Sequence, residues 1–340
     1  MSKAATAFLT IFILSLGIGS IGYGADTPFT LANWINVGDP VTKMICDPTQ
    51  HYVYAVSSSA NRLYRIDTQA GVIDRNIFIG SMPTDLAIDT QTNRLYVATF
   101  GATEIGVVDL ATFTRQNPLI VASSPYEIEV GRPGRLYYVG EDQWQYGHVV
   151  DTLAGTELTQ YKFGHDYEGD IEITADGSKL YRANSALSSA AMTVFNTSQE
   201  PVARIDGTAD YEYPGSNAQR NLYLTKDEQY LIYKNFLVDA NNVHHILGTY
   251  GESVYLASQN ADYVFGSSKI WNGKEFTALQ TLPFTSTVMS LSGDETWFFA
   301  YDSGSRRIAR FGTPIPEPSS VVYVALGMMG TMKLLRKRRR

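Results

Sequence analysis

The stretch Arg94-Leu95-Tyr96-Val97-Ala98-Thr99, followed after a short turn by Ile105-Gly106-Val107-Val108-Asp109, decides the fold of this 340-residue chain. Both segments are short, apolar and rich in β-branched residues, and polar or glycine-containing turns border them. Such runs with period-two patterning predict β-strands, and there is almost no helical periodicity in the body of the chain. The sequence therefore predicts an all-β body.

The same unit recurs along the chain. Each copy has an alternating apolar strand, a turn rich in Asp, Gly or Asn, and a strand with an aromatic residue or a Leu-Tyr pair, and further strands follow, such as residues 63–67 and 117–121. Successive copies lie 42, 41, 44, 51, 32 and 34 residues apart. Because about 40 residues make a four-stranded propeller blade, seven copies predict a seven-bladed β-propeller. The copies align at Tyr54, Tyr96, Tyr137, Tyr181, Ile232, Val264 and Phe298.

The last unit lacks a fourth strand, because it stops at Ile308-Ala309-Arg310-Phe311. Near the other end of the body, Asn33-Trp34-Ile35-Asn36-Val37-Gly38 resembles the fourth strand of the other units. A strand around residues 30–38 that completes the last blade would close the ring and hide two sheet edges. We therefore expect one propeller domain over residues 29–313.

The repeat resembles the YVTN family of β-propellers, which is named for a Tyr-Val-Thr-Asn strand. The copy that matches best here is Tyr96-Val97-Ala98-Thr99, and the resemblance is good for the first three units and looser in the remainder. It implies a propeller scaffold on an exported protein. It attaches no single activity, because a fold does not specify a function.

The first 24 residues have the order of a secretory signal peptide. Lys3 precedes an apolar run over residues 4–21, and small residues, Gly22 and Gly24, occupy the recognition positions for cleavage after Gly24. The alternative is a retained membrane anchor, because the run nearly reaches the length that spans a bilayer. Either way, the body is expected outside the cytoplasmic membrane.

Residues 314–340 have the order of a sorting and anchoring signal. Pro316, Glu317 and Pro318 precede an apolar stretch over residues 321–332, which predicts a short transmembrane helix. The stretch ends in a basic cluster that favours the cytoplasmic side. That cluster comprises Arg336, Lys337, Arg338, Arg339 and Arg340.

This tail is similar to the PEP-CTERM sorting domain of Gram-negative bacteria. The family implies recognition by an exosortase, a membrane-embedded enzyme, with removal of the tail and delivery to the cell surface or the exopolysaccharide layer. Lys333 is a departure from the usual uncharged helix. An ordinary tail anchor is the alternative.

The charge of the body excludes one class of partner. Without Lys3, the six basic residues of the tail and Glu317, residues 26–315 hold 20 basic and 33 acidic residues, a net charge of −13. Such a body repels nucleic acid and anionic polymers, and it could favour cations or basic partners. The alternative is that the acidity only keeps an exported protein soluble. Cys46 is the only cysteine, so no intramolecular disulfide can form, and we expect this thiol to be buried and unreactive.

Two loops are candidate ligand sites, although solvated or structural loops would carry the same residues. The first is an inter-blade loop whose imidazole and carboxylates suit a divalent cation; it carries His165, Asp166, Glu168 and Asp170. The second alternates acids and tyrosines, which could stack on a sugar and hydrogen-bond to it; it carries Asp206, Asp210, Tyr211, Glu212 and Tyr213. His148 stands alone in a strand context, which favours a structural role.

No compact catalytic motif occurs in the sequence. The main hypothesis is therefore an exported, non-catalytic binding or scaffold module of the surface or extracellular matrix, with an exopolysaccharide or a surface protein as partner. The alternative is a propeller enzyme, similar to lactonases or quinoprotein dehydrogenases, with a metal-assisted site at the mouth of the channel. A purely structural matrix protein is the third possibility.

Overall fold

The computed structural model describes residues 27–142, 144–166, 169–184, 190–208, 213–214 and 220–313, with side chains for all of these except His165 and Asp166. These residues form β-strands arranged in seven sheets, which confirms the predicted seven-bladed all-β propeller. Nothing in this part of the chain forms a helix that could cross a membrane. The predicted signal peptide and sorting helix lie outside the described residues.

Blades 1 to 4 follow one another along the chain, each beginning with its inner strand. Blade 1 contains β2 (Lys43–Cys46), β3 (Tyr52–Ser57), β4 (Arg62–Asp67) and β5 (Val72–Phe78). Blade 2 contains β6 (Pro83–Asp89), β7 (Arg94–Thr99), β8 (Glu104–Asp109), β9 (Thr114–Arg115) and β10 (Leu119–Ile120). Blade 3 contains β11 (Glu127–Val130), β12 (Arg135–Val139), β13 (Gln145–Asp151), β14 (Thr156–Glu157) and β15 (Phe163–Asp166). Blade 4 contains β16 (Gly169–Ile173), β17 (Lys179–Asn184), β18 (Met192–Asn196) and β19 (Ala203–Gly207).

The remaining three blades have four strands each. Blade 5 contains β20 (Tyr223–Leu224), β21 (Tyr230–Tyr233), β22 (Phe236–Asp239) and β23 (Asn242–Thr249). Blade 6 contains β24 (Val254–Ala257), β25 (Tyr263–Gly266), β26 (Lys269–Asn272) and β27 (Ala278–Thr281). Blade 7 contains β28 (Met289–Leu291), β29 (Trp297–Asp302), β30 (Arg307–Gly312) and β1 (Thr30–Asn36).

The outer strand of blade 2 differs from the continuous strand predicted over residues 117–121. It is split into β9 and β10, which both pair with β8. Pro118 lies between the two pieces and has no N–H to donate to a strand ladder. The proline therefore explains the interruption.

The hairpin turns are built from Asp side chains that accept backbone N–H groups. Asp67 Oδ1 accepts from Gln69 and Ala70, both at 2.8 Å. Asp151 caps the corresponding turn of blade 3 in the same way, and Asp89 caps the turn between the first two strands of blade 2. These turns recur because Asp can accept hydrogen bonds from the backbone two and three residues further on.

The hydrophobic core is divided among the junctions between neighbouring blades. Seven clusters of buried side chains occur in the described residues, one at each junction. At the junction of blades 1 and 2, for example, Tyr54 and Leu63 pack with Leu86 and Leu95. Each blade is therefore stabilised by both of its neighbours.

Blade 7 joins the two ends of the propeller. β1 runs antiparallel to β30, with Trp34 opposite Ala309 and Ile35 opposite Ile308. Ile35 is buried in the cluster between blades 7 and 1. The first strand of the body therefore covers the edge of the last blade, and closing the ring brings the seven inner strands around one axis.

Candidate functional site

The inner strands enclose an axial channel. β2, β6, β11, β16, β20, β24 and β28 form a closed circle in which each strand contacts the inner strands of both neighbouring blades. The cavity within this circle measures about 450 Å³. Ligand pockets have volumes of about 300–1,000 Å³, so the channel is large enough for a small ligand or a single protruding group.

Charged residues occupy equivalent positions on the inner strands of blades 1 to 4. Lys43, Asp85, Glu127 and Asp170 each lie opposite a small or β-branched residue of the second strand, namely Val56, Ala98, Val139 and Ala183. Side chains alternate along a strand, so the residue two positions further on faces the same side. We call Lys43, Asp85, Glu127 and Asp170 the first layer of the channel, and the residues two positions further on the second layer. The second layer contains two more acids that line the channel, Glu129 and Glu172.

Lys43 joins the acids of blades 2 and 3. Its Nζ lies 3.0 Å from Asp85 Oδ1 and 3.6 Å from Glu127 Oε2. The second oxygen of Asp85 accepts the backbone N–H of Ile128 at 2.9 Å. Partial loss of solvent in the channel lowers the pKa of Lys43, whose side chain is still 42% exposed, but Asp85, Glu127 and Asp170 outweigh this effect and hold that pKa well above its usual value.

Arg220, which lies just before the inner strand of blade 5, offsets the negative charge of the same group of acids. Its Nη1 lies 3.2 Å from Glu127 Oε1, and its guanidinium stacks 4.0 Å from the centre of the Tyr126 ring. Asp170 Oδ2 accepts the N–H of Leu222 at 2.6 Å. The acids of the first layer, Asp85, Glu127 and Asp170, therefore contact two cations and backbone N–H donors.

Glu129 and Glu172 form no ion pair within the described part of the chain, although Glu172 accepts the backbone N–H of Leu224 and the charge of Lys43 acts on both. Burial and the neighbouring Glu172 raise the pKa of Glu129 well above its usual value. Burial and Asp170 raise the pKa of Glu172 to about 8. At neutral pH Glu172 therefore binds a proton, which an incoming cation could replace.

The opposite wall of the channel is mostly uncharged. Blades 6 and 7 contribute Tyr255, Leu256, Met289 and Leu291. The half-buried Cys46 also borders the channel, and burial raises the pKa of its thiol to about 12. This thiol stays protonated and unreactive at neutral pH.

The structure separates the members of the first candidate loop. The backbone of His165 pairs with Tyr146 and that of Asp166 with Gln145, at the outer side of blade 3. Asp170 lies on the inner strand of blade 4, in the channel, and Glu168 lies outside the described residues. Within the described residues, no three His, Cys, Asp or Glu side chains are grouped to hold a metal ion. The divalent-cation site stays a prediction.

The second candidate loop is only partly described, because Asp210, Tyr211 and Glu212 lie outside the described residues. Asp206 is exposed on the outer strand of blade 4, and its Oδ1 lies 3.1 Å from His244 Nε2. Tyr213 is buried and donates its hydroxyl to the carbonyl of Val243. A buried Tyr213 ring offers no open face to a sugar.

The channel acids were missed at the sequence level, although the sequence contains a signal for them. Lys43, Asp85, Glu127 and Asp170 follow each other at 42, 42 and 43 residues, which is the period of the repeat. A charged residue at the same position of consecutive inner strands must line the axis of a propeller. That periodicity of charge would have identified the site.

The comparisons with known proteins identify the fold alone. No family model and no curated protein matches the chain. A structure of Kuenenia stuttgartiensis hydrazine synthase matches with a TM-score of 0.62 and 13% identity, and the match covers 81% of this chain and 96% of that one. The Cps50 (Swd1) β-propeller domain of Myceliophteria thermophila matches with a TM-score of 0.65 and 14% identity, covering 84% and 100%. At such identities, the likeness extends to the propeller and to no specific function.

Proposed function

We propose that this protein is exported and that its axial channel is a non-catalytic binding site for a ligand that presents a positively charged amine. One observation carries the proposal: five carboxyl groups from blades 2 to 4 line one side of the channel. They are Asp85, Glu127, Glu129, Asp170 and Glu172.

The second layer of the channel is the binding position that we propose for the amine. Lys43 and Arg220 already contact Asp85 and Glu127, whereas Glu129 and Glu172 make no ion pair within the described chain. A protonated amine placed between these two carboxyls would displace the proton of Glu172 and form charge-assisted hydrogen bonds. The apolar side chains of the opposite wall, such as Leu256 and Met289, would pack against the ligand's carbon chain.

Calorimetry with a matched pair of probes tests this function. The full-length protein is titrated with 1,5-diaminopentane and with 1,5-pentanediol, which has a similar shape and no charge. We expect the diamine alone to bind, with an affinity that falls as salt concentration rises. Glu129→Gln and Glu172→Gln should each weaken binding at least about tenfold, whereas Glu275→Gln, an exposed acid outside the channel, should leave it unchanged. Equal binding of the diol, or no binding of the diamine, would refute the proposal.

We propose further that an exosortase sorts the protein to the cell surface or the exopolysaccharide layer. The sequences of residues 1–24 and 314–340 support this proposal. Replacing Pro316, Glu317 and Pro318 together by Ala should leave the protein in the inner membrane with its tail attached. Pro314→Ala, just before the motif, is the matched control and should be processed normally. Normal processing of the triple variant, measured by membrane fractionation and mass spectrometry, would contradict this assignment.

A further inference from the structure

A second group of polar side chains lies on blade 3, apart from the residues that line the channel. Ser123 lies in the connection from β10 to β11, Tyr138 on β12, His148 on β13 and Glu157 on β14. The strand register places Tyr138, His148 and Glu157 close together. Tyr138 lies opposite His148, and Glu157 lies opposite Val150, which is two residues after His148 on the same strand. His148 stands alone in its local sequence, but in the folded chain its imidazole contacts Ser123, Tyr138 and Glu157.

His148 links a carboxylate to a hydroxyl. Its Nδ1 lies 2.8 Å from Glu157 Oε1, and its Nε2 lies 3.2 Å from Ser123 Oγ. An ionised carboxylate can only accept, so Nδ1 carries the hydrogen and Nε2 is left as an acceptor for the Ser123 hydroxyl. This is the order of hydroxyl, base and orienting carboxylate that activates a serine nucleophile.

Glu157 and the imidazole are fixed by further contacts. Glu157 Oε2 accepts the Tyr138 hydroxyl at 2.9 Å and the N–H of Ala122 at 2.6 Å. The Tyr138 ring stacks on the imidazole with centroids 4.5 Å apart and planes at 10°. Burial alone would raise the pKa of Glu157, but the hydrogen bonds from His148, Ala122 and Tyr138 outweigh it and lower that pKa. The carboxylate is therefore ionised at neutral pH.

The three side chains differ in solvent exposure in the way that acyl transfer needs. The side chains of His148 and Glu157 are only 7% and 5% exposed, while Ser123 is half-buried. The backbone N–H of Ser123 is directed at the Tyr138 hydroxyl, whereas that of Ser124 donates to no acceptor among the described residues. One amide donor next to the Ser123 hydroxyl is thus available to stabilise an oxyanion.

We propose that Ser123 is the nucleophile of an ester-hydrolysing site, with His148 as general base and acid and Glu157 as a positioning residue. This activity is separate from ligand binding in the channel and does not depend on it. Carboxylic esters are the substrate class, because their alcohol leaves more readily than the amine of an amide.

The reaction balances with water as the only co-reactant. Ser123 Oγ adds to the carbonyl carbon while its proton passes to His148 Nε2. The bond to the alcohol oxygen then breaks, the alcohol takes that proton, and the acyl group stays on Ser123. Water adds to the acyl carbon and gives a proton to Nε2, and this proton returns to Ser123 as the carboxylic acid leaves.

Labelling of the full-length protein with a fluorophosphonate tests the proposal without any variant. We expect one adduct per chain, located on Ser123 by peptide mass spectrometry, together with hydrolysis of 4-nitrophenyl acetate. Ser123→Ala should abolish both, and the neighbouring Ser124→Ala should retain them. Absence of an adduct on Ser123, under conditions that label a reference serine esterase completely, would overturn the proposal and leave a purely structural network.

The roles of His148 and Glu157 are tested by the rate of labelling per folded molecule, because this rate does not depend on how stable each variant is. His148→Gln and Glu157→Gln should slow labelling at least about 100-fold per folded molecule, because neither variant leaves the Ser123 hydroxyl with a correctly oriented base. Circular dichroism establishes the folded fraction. Folded variants that are labelled at the wild-type rate would contradict the assigned roles, even if Ser123 itself reacts.

Discussion

The Tyr181 hydroxyl on blade 4 donates a 2.7 Å hydrogen bond to the carbonyl oxygen of Ala240 on blade 5. Tyr137, at the same position of the preceding repeat, contacts the carbonyl of Thr197 on the next blade at 3.4 Å. Tyr96, again at the same position, has a buried hydroxyl without a partner among the described residues. The repeated tyrosine thus has one packing role throughout and a hydrogen-bonding role in only some blades.

This difference predicts opposite effects of the same substitution. Tyr181→Phe should lower the free energy of unfolding by about 1–2 kcal/mol, because the carbonyl of Ala240 loses its donor in a buried position. Tyr96→Phe should be neutral or slightly stabilising, because it removes a buried hydroxyl that pairs with nothing described. Urea unfolding of both variants measures the contrast, and equal losses would contradict it.

Lys43 is expected to stabilise the channel through Asp85 and Glu127. Lys43→Met should destabilise the fold by about 2 kcal/mol, less than for a fully buried pair because the Lys43 side chain is 42% exposed. Lys274→Met, which breaks an exposed pair with Asp262, is the matched control and should cost less than about 1 kcal/mol. Indistinguishable denaturation midpoints for the two variants would show that the channel pair contributes nothing.

Glu172 should make the protein less stable as pH rises. Its carboxyl has a pKa of about 8 in the folded chain, against an ordinary value of 4.5. Between these values the folded state binds a proton that the unfolded state has lost, so the free energy of unfolding falls with pH, by about 1 kcal/mol per pH unit. Below pH 4.5 both states are protonated, and the stabilising contribution is complete.

Glu172→Gln removes this titration while keeping the shape of the side chain. Relative to the variant, the wild type should lose stability steadily between pH 5 and pH 8, whereas Glu275→Gln should follow the wild-type curve. Thermal unfolding across this range provides the measurement. Parallel curves for wild type and Glu172→Gln would exclude a raised pKa.

The closing strand gives a matched pair of substitutions on one element. Ile35 is 4% exposed and packs between blades 7 and 1, whereas Leu31, on the same strand, is 39% exposed. Ile35→Ala should cost about 3 kcal/mol through lost burial and a cavity, and Leu31→Ala less than about 1 kcal/mol. Similar losses for both, measured by urea unfolding, would mean that β1 contributes little to closing the ring.

The sequence by itself determined the repeat, the all-β class and the number of blades. Strand alternation and Asp turns such as those at Asp67 and Asp151 act over a few residues, so a local pattern suffices to predict them. Continuity of the outer strands was predicted less well, because Pro118 interrupts the ladder in blade 2.

Only the tertiary structure decided which side chains meet. Lys43, Asp85, Glu127 and Asp170 belong to four repeats, and they come together because the closed ring places every inner strand at one axis. Ser123 lies in the connection between blades 2 and 3 and His148 on a strand of blade 3, and only the folded arrangement of that blade brings their side chains within 3.2 Å. Contacts between residues distant in sequence depend on ring closure and register, which local propensity does not encode.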